Sequence, residues 1–233
     1  MKNQLQKDVI EWDVLNWSYA LRVWQPVVDT FSKSSKVLAI GERNGGLSLW
    51  LAMQGFQVTC TDRVGITEHA KKIHRKYGVA DNITYEAIDI VNDAPATSAY
   101  DIIIMKSVLG GLKSDYGNAA TRTDVVRNIA IQNIYSSLKS GGVLLTADNL
   151  QGSNLVQAIR NAKGKNQTWH YLSIDEIKTL FSIFHQTDIY TFGIIPTRFS
   201  VPIINKAVFI LNTILKRLLP VSSSYISVIA ARK

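Results

Sequence analysis

Apolar positions recur along this chain in two alternating ways. Short unbroken aliphatic runs, such as Val37-Leu38-Ala39-Ile40 and Ile102-Ile103-Ile104, are separated by stretches with helical periodicity. A run that is apolar at every position is the mark of a strand covered on both faces. Its alternation with helices predicts a parallel sheet with right-handed crossovers and helices on both sides. The pattern predicts strands over 37–41, 57–62, 83–88, 100–105, 143–147, 187–192 and 224–231, with helices over 46–54, 67–77, 121–138, 154–162 and 173–184. Gly55 and Gly78 close the first two helices as C-caps, and Ser140-Gly141-Gly142 turns the chain into the fifth strand. Ser173 followed by Glu176 has the spacing of a capping box. The last strand arrives without a comparable crossover and is expected to run antiparallel.

Two segments lie outside this alternation. Over 12–31, Trp12, Leu15, Tyr19 and Val23 fall at helical spacing with Trp17, Leu21 and Trp24 nearby, which predicts a helical flank or lid over 1–34 ahead of a main domain at 35–233. Over 201–220, Asn205, Lys206, Asn212, Thr213, Lys216 and Arg217 share one helical face, and Ile204, Val208, Leu211, Leu215 and Leu218 lie opposite. This predicts a basic amphipathic helix, inserted at about 198–220. Its apolar face is expected on the core, on a second subunit in a homodimer, or on a peripheral membrane or lipid-carrier surface.

Composition narrows the class. With 233 residues, 46% hydrophobic and 19% charged, the chain reads as one globular domain with a sizeable core. No apolar run reaches the roughly 18 residues of a spanning helix, and the first residues lack the apolar centre of an export signal. Cys60, the single cysteine, sits inside a strand pattern as a small core residue, so a cytoplasmic location is expected. The net charge of +8 is lopsided: after Asp188 there is no Asp or Glu, only Arg198, Lys206, Lys216, Arg217, Arg232 and Lys233. That asymmetry points to an anionic neighbour, whether phosphate, lipid headgroup or nucleic acid, or serves solubility alone.

The chemistry concentrates at Gly41-Glu42-Arg43-Asn44-Gly45-Gly46, between the first strand and its helix. Glycines there permit a tight turn and close approach of a ligand to the backbone, and the helix N-terminus presents unpaired N–H groups. Asp62 follows about 20 residues later, where a carboxylate ending the second strand can accept both ribose hydroxyls. A dinucleotide would require glycine at position 43 so that its pyrophosphate could lie on the backbone; Arg43 obstructs it.

With these residues in place, the chain from Ser35 to Lys233 resembles the class I S-adenosylmethionine-dependent methyltransferases. The resemblance implies a Rossmann-like seven-stranded α/β fold and S-adenosyl-L-methionine as cofactor. It places Gly41, Glu42, Arg43, Asn44 and Gly45 along the methionine side, Asp62 on the ribose with Arg63 beside it, and Asp89 and Ile90 by the adenine. Ala39 stands where the family's first strand usually carries an acid, and Glu42 is the candidate substitute for holding the amino group. Tyr100-Asp101-Ile102-Ile103-Ile104-Met105 matches the fourth strand, and Leu138 to Leu145 the fifth with its paired glycines.

Methyl transfer needs alignment, exclusion of water and sometimes a base. Substrate is expected beyond the carboxyl ends of the strands, near Lys106, Ser107, Asp148 and Asn149. Asp148-Asn149 resembles the metal site of catechol-type O-methyltransferases, but Lys106 stands where a carboxylate ligand belongs, so no metal is expected; Lys106 is expected to pair with Asp148 or attract an anionic substrate. His170 is the candidate base, His69, His74 and His185 read as surface or packing groups, and Tyr116 as a loop contact. The expected activity is methyl transfer to a small-molecule or glycan acceptor at oxygen, with polysaccharide biosynthesis as the setting. The alternatives are an RNA methyltransferase, against which the loop after the fourth strand lacks an Asn/Asp-Pro-Pro-aromatic signature, and an inactive binding protein that keeps the fold.

Overall fold

A computed structural model of the chain describes residues 2–112, 123–162 and 169–233; Tyr116 and the start of the predicted 121–138 helix lie outside the described residues. The elements are α1 (Lys2–Ile10), α2 (Val14–Val28), β1 (Lys36–Ile40), α3 (Gly46–Ala52), β2 (Gln57–Thr61), α4 (Glu68–Lys76), β3 (Ile83–Glu86) and β4 (Tyr100–Lys106). They continue with α5 (Thr123–Ser137), β5 (Leu138–Asn149), α6 (Asn154–Ala162), α7 (Ile174–Leu180), β6 (Gln186–Phe192), α8 (Pro202–Leu218) and β7 (Ile226–Arg232).

The strands form one seven-stranded sheet in the order β3-β2-β1-β4-β5-β7-β6, with β1 to β5 parallel and β7 antiparallel to both its neighbours. Along β4 the side chains alternate: Ile102 and Ile104 join the core layer that holds Leu47, Phe56 and Trp24, and Ile103 and Met105 join the layer that holds Ile134, Phe181 and Leu172. Burial of every residue from Ile102 to Lys106 is the physical content of the unbroken apolar run. The Ser140-Gly141-Gly142 turn is absorbed into β5, where the register with β4 shifts between Tyr100 and Ile102.

The amino-terminal flank is two helices rather than one. The fully buried stripe of α2 is Trp17, Ala20, Trp24 and Val28, one position out of phase with the predicted Trp12-Leu15-Tyr19-Val23 set, which stays partly exposed. Trp24 donates its indole N–H to the Ile229 carbonyl of β7, so α2 packs as part of the domain. Thr67 and Ser173 cap α4 and α7, the latter with a complete capping box.

Because β6 runs parallel to β5 and β7 returns antiparallel, α8 leaves and re-enters the sheet at the edge where β1, β4 and β5 end, with Phe192 opposite Ile226. The predicted helix is present, and of the places expected for its apolar face the core receives only a part. Asn212 is fully buried and Asn205, Val208, Phe209, Leu215 and Lys216 are half-buried, while Ile203, Ile204, Ile210, Leu211, Ile214 and Leu218 are exposed. Among the described residues no helix is long and apolar enough to cross a membrane.

Candidate active site

The carboxyl ends of β1, β2 and β3 carry the glycine bend and the two predicted acids to one edge. Gly41 is exposed and left-handed at φ 68°, and a Cβ there would lie 2.5 Å from Val108 Cγ2, so the loop after β4 closes directly over the bend. Gly45, also left-handed, lies against the His74 ring, and a Cβ on Gly46 would lie 2.2 Å from the Val9 carbonyl oxygen. All three glycines thus admit close approach by protein groups. His74 is buried, bonded to the Gly45 carbonyl at 2.8 Å and to the Tyr85 hydroxyl at 2.9 Å, and burial lowers its pKa. It is a packing group, as expected.

Asp62 follows β2 half-exposed, accepting from the Val64 N–H at 3.0 Å, and Arg63 beside it is exposed. Asp89 is half-exposed and holds its own turn, accepting from the Val91 N–H at 3.0 Å; Ile90 behind it is buried. Arg43 is exposed and Asn44 half-exposed, the latter donating to Glu11 Oε2 at 3.0 Å.

Glu42 departs from the expectation. Its carboxylate turns inward and accepts from the Leu47 and Ser48 N–H groups at 2.7 and 3.0 Å, capping α3 in place of a conventional N-cap. It therefore does not substitute for the missing acid at Ala39. Burial pushes its carboxyl up to about 7, against the pull of those N–H groups and the Lys106 charge.

Lys106 and Asp148 also part company. Lys106, buried at the end of β4, points its Nζ at the Ile10 carbonyl (3.2 Å), at Glu11 Oε1 (3.9 Å) and over the Trp12 ring (3.4 Å to the centroid). Burial lowers its pKa, opposed by Glu11, Glu42 and Asp148. It fastens the α1–α2 linker over the sheet edge and is not open to an anionic substrate. The linker is strained there, with Glu11 and Asp13 at φ 71° and 47°, and Ser107 beneath at φ 55°. Asp148, buried, accepts from the Asn149 N–H at 2.8 Å and the Gly110 N–H at 3.3 Å, and burial raises its carboxyl to about 6. It braces the turn after β4, as does Arg127 through the Leu109 carbonyl at 3.2 Å.

His170 is half-exposed and bonds Glu176 Oε1 at 2.8 Å, while its backbone N–H bonds the Gly110 carbonyl at 2.9 Å. The capping-box glutamate thus also orients the histidine, a double use that the Ser173/Glu176 spacing did not reveal. Just beyond β5 opens a cavity of about 440 Å³ over Leu150 and Leu172, walled by Gln151, Ser153, Asn154, Gln157, Asp175 and Ser222. Sequence reasoning missed it, because its walls come from three separate loops. Among the described residues no cluster of three or more His, Cys, Asp or Glu could hold a metal ion.

A family model described as tellurite resistance protein TehB matches residues 21–143, more than half of the chain. The chain belongs to the TehB family. No curated protein matches it. Solved structures similar to this TehB-family chain include Haemonchus contortus phosphoethanolamine N-methyltransferase 2 with phosphomonomethylethanolamine and S-adenosylhomocysteine, at 16% identity and TM-score 0.64, covering 93% of this chain and 52% of that one. A Thermotoga maritima S-adenosylmethionine-dependent methyltransferase aligns at 16% identity and TM-score 0.55, covering 92% of this chain and 89% of that one. Geranyl diphosphate methyltransferase with its S-adenosylmethionine aligns at 12% and 0.58, covering 89% and 83%. The chain spans about half the length of the Haemonchus enzyme. Its fold is that of the class I S-adenosylmethionine-dependent methyltransferases.

Proposed function

We propose that this protein transfers the methyl group of S-adenosyl-L-methionine to a small acceptor, at an oxygen of a sugar or lipid-linked glycan. The observation that carries the reading is the convergence of Gly41, Asp62 and Asp89 at the carboxyl ends of three adjacent parallel strands. The residues there suit the cofactor: Gly41 is exposed, both acids are half-exposed, and the Ser107 Oγ on the same edge lacks a hydrogen-bond partner among the described residues. Asp62 would hold the ribose and Asp89, with Ile90, the adenine side; Arg43, Asn44 and Arg63 border the approach. Bound there, S-adenosylmethionine would supply an electrophilic methyl on a sulfonium, with S-adenosylhomocysteine as the leaving group.

The chain's own residues orient the acceptor and exclude water. The cavity beyond β5 offers amides and hydroxyls above a floor of Leu150 and Leu172, a composition that suits a neutral polyhydroxy compound. The small-molecule acceptors named for the Haemonchus and geranyl diphosphate enzymes support the size class. His170, oriented by Glu176, accepts the hydroxyl proton. Lys106 and Asp148 act at one remove, holding the linker and the turn that border the site. A lipid-linked acceptor would be met at a membrane, and the exposed apolar residues of 201–220 support that reading.

Calorimetry with S-adenosylmethionine, followed by detection of S-adenosylhomocysteine release on a panel of sugar and lipid-linked glycan acceptors, tests the reading. Micromolar binding with acceptor-dependent release is expected. An absence of cofactor binding to the folded protein would remove it.

A further inference from the structure

The least expected surface of the molecule is the outer face of α8. Ile203, Ile210, Ile214 and Leu218 are 73%, 62%, 53% and 72% exposed, and with Ala207 they recur at the i, i+4, i+7, i+11, i+15 spacing of one helix stripe. Phe199, Val201, Leu219 and Val221 continue the exposed apolar surface past both ends of the helix. A stripe of this kind on an otherwise polar exterior marks an interaction surface.

Its outward direction is fixed by a buried polar clamp on the opposite face. Asn212 accepts the Ile194 and Ile195 N–H groups at 3.1 and 2.9 Å, and donates to the Ile195 carbonyl at 2.7 Å and to Asn16 Oδ1 at 3.1 Å. Asn16 in turn donates to the Tyr225 hydroxyl, which donates to Asp13, and Asp13 accepts from the Thr197 N–H. Rolling α8 to bury its leucines and isoleucines would leave this set of buried groups unpaired, at a cost no apolar contact on one helix face offsets easily.

We propose that α8 docks the protein on an anionic membrane surface, lying in the plane of the interface with the Ile203-Ala207-Ile210-Ile214-Leu218 stripe sunk among the acyl chains. Charge selects this occupant. Exposed Lys206 and Arg217 border one margin of the stripe, Arg198 precedes the helix, and no acidic residue occurs after Asp188. A second copy docked stripe to stripe and antiparallel would bring like charges together along that margin, and in either orientation the segment after Asp188 offers them no acid, whereas anionic headgroups neutralise them. The position has a consequence: α8 hangs from the sheet edge that carries the candidate active site, and Ser222 and Ser223, just past the helix, line the cavity beyond β5. Docking therefore brings the Ser222–Ser223 wall of that cavity near the bilayer. Only this last step rests on the acceptor reading; the docking itself is read without any turnover.

The test is co-sedimentation of the full chain with vesicles of phosphatidylcholine alone or with phosphatidylglycerol added. Binding to the phosphatidylglycerol vesicles, weakened by salt, is expected. Ile210→Glu with Ile214→Glu, and separately Lys206→Glu with Arg217→Glu, should each lower it at least tenfold while thermal midpoint and S-adenosylmethionine binding stay unchanged. The proposal is overturned if the native chain does not sediment with anionic vesicles, or if it binds equally after Ile210→Glu/Ile214→Glu. A dimer that dissolves on that double change, without vesicle binding by the native chain, also overturns it and assigns the stripe to a second copy.

Discussion

The Lys106 ammonium lies 3.4 Å from the centre of the Trp12 ring, a buried cation closed in by an aromatic face from a different segment of the chain. This contact ties the end of β4 to the linker between α1 and α2, and the Ile10 carbonyl completes it. Lys106→Met keeps the stem but removes the charge–ring attraction and that hydrogen bond. A loss of roughly 1–3 kcal/mol is expected, with faster proteolytic cutting around Glu11 to Asp13. Unchanged proteolysis would show that the linker is held by packing alone.

Two buried carboxyls make stability depend on pH in an unusual direction. Glu42 is raised to about 7 and Asp148 to about 6, so the folded chain holds protons that the unfolded chain releases. Their contribution is fully present below the unfolded values near 4 and is lost as pH rises through about 6 to 7. Glu42→Gln keeps an acceptor for Leu47 and Ser48 and removes the charge. Denaturant midpoints between about pH 5 and pH 8 should then fall less steeply than in the native chain, by on the order of 1–3 kcal/mol. An identical slope refutes the assignment to Glu42.

Gly46→Ala and Gly55→Ala separate two reasons for a glycine. A Cβ at Gly46 meets the Val9 carbonyl at 2.2 Å, whereas one at Gly55, a left-handed position at φ 91°, meets nothing within 4 Å. Gly55→Ala should cost about 1 kcal/mol, from backbone strain. Gly46→Ala should cost several times more and detach α1, read by thermal midpoint and by exchange protection of residues 2–10.

Asp62→Ala should weaken S-adenosylmethionine binding tenfold or more in calorimetry, with little change in thermal midpoint because the side chain is half-exposed. His170→Ala should leave that affinity intact and lower methyl transfer by about a hundredfold or more, with the pH dependence of the residual rate altered. Full turnover in His170→Ala would dismiss it as the base.

The strands and their order of appearance were legible in the sequence because burial on both faces demands unbroken apolar runs, and few residues other than those in β1, β4 and β5 satisfy that demand. The placement of the glycine bend, Asp62 and Asp89 along one sheet edge was legible for a related reason: each follows one of three adjacent parallel strands. What only tertiary structure decided were the directions of side chains whose partners come from far along the chain. Glu42 caps α3, Lys106 meets Trp12 instead of Asp148, and Asn212 turns inward because Asn16, Ile194 and Ile195 give it hydrogen bonds there. Helical periodicity can sort a segment into two faces, but which face is buried depends on the polar groups waiting on the other side, and in α8 those groups keep most of the apolar face off the core.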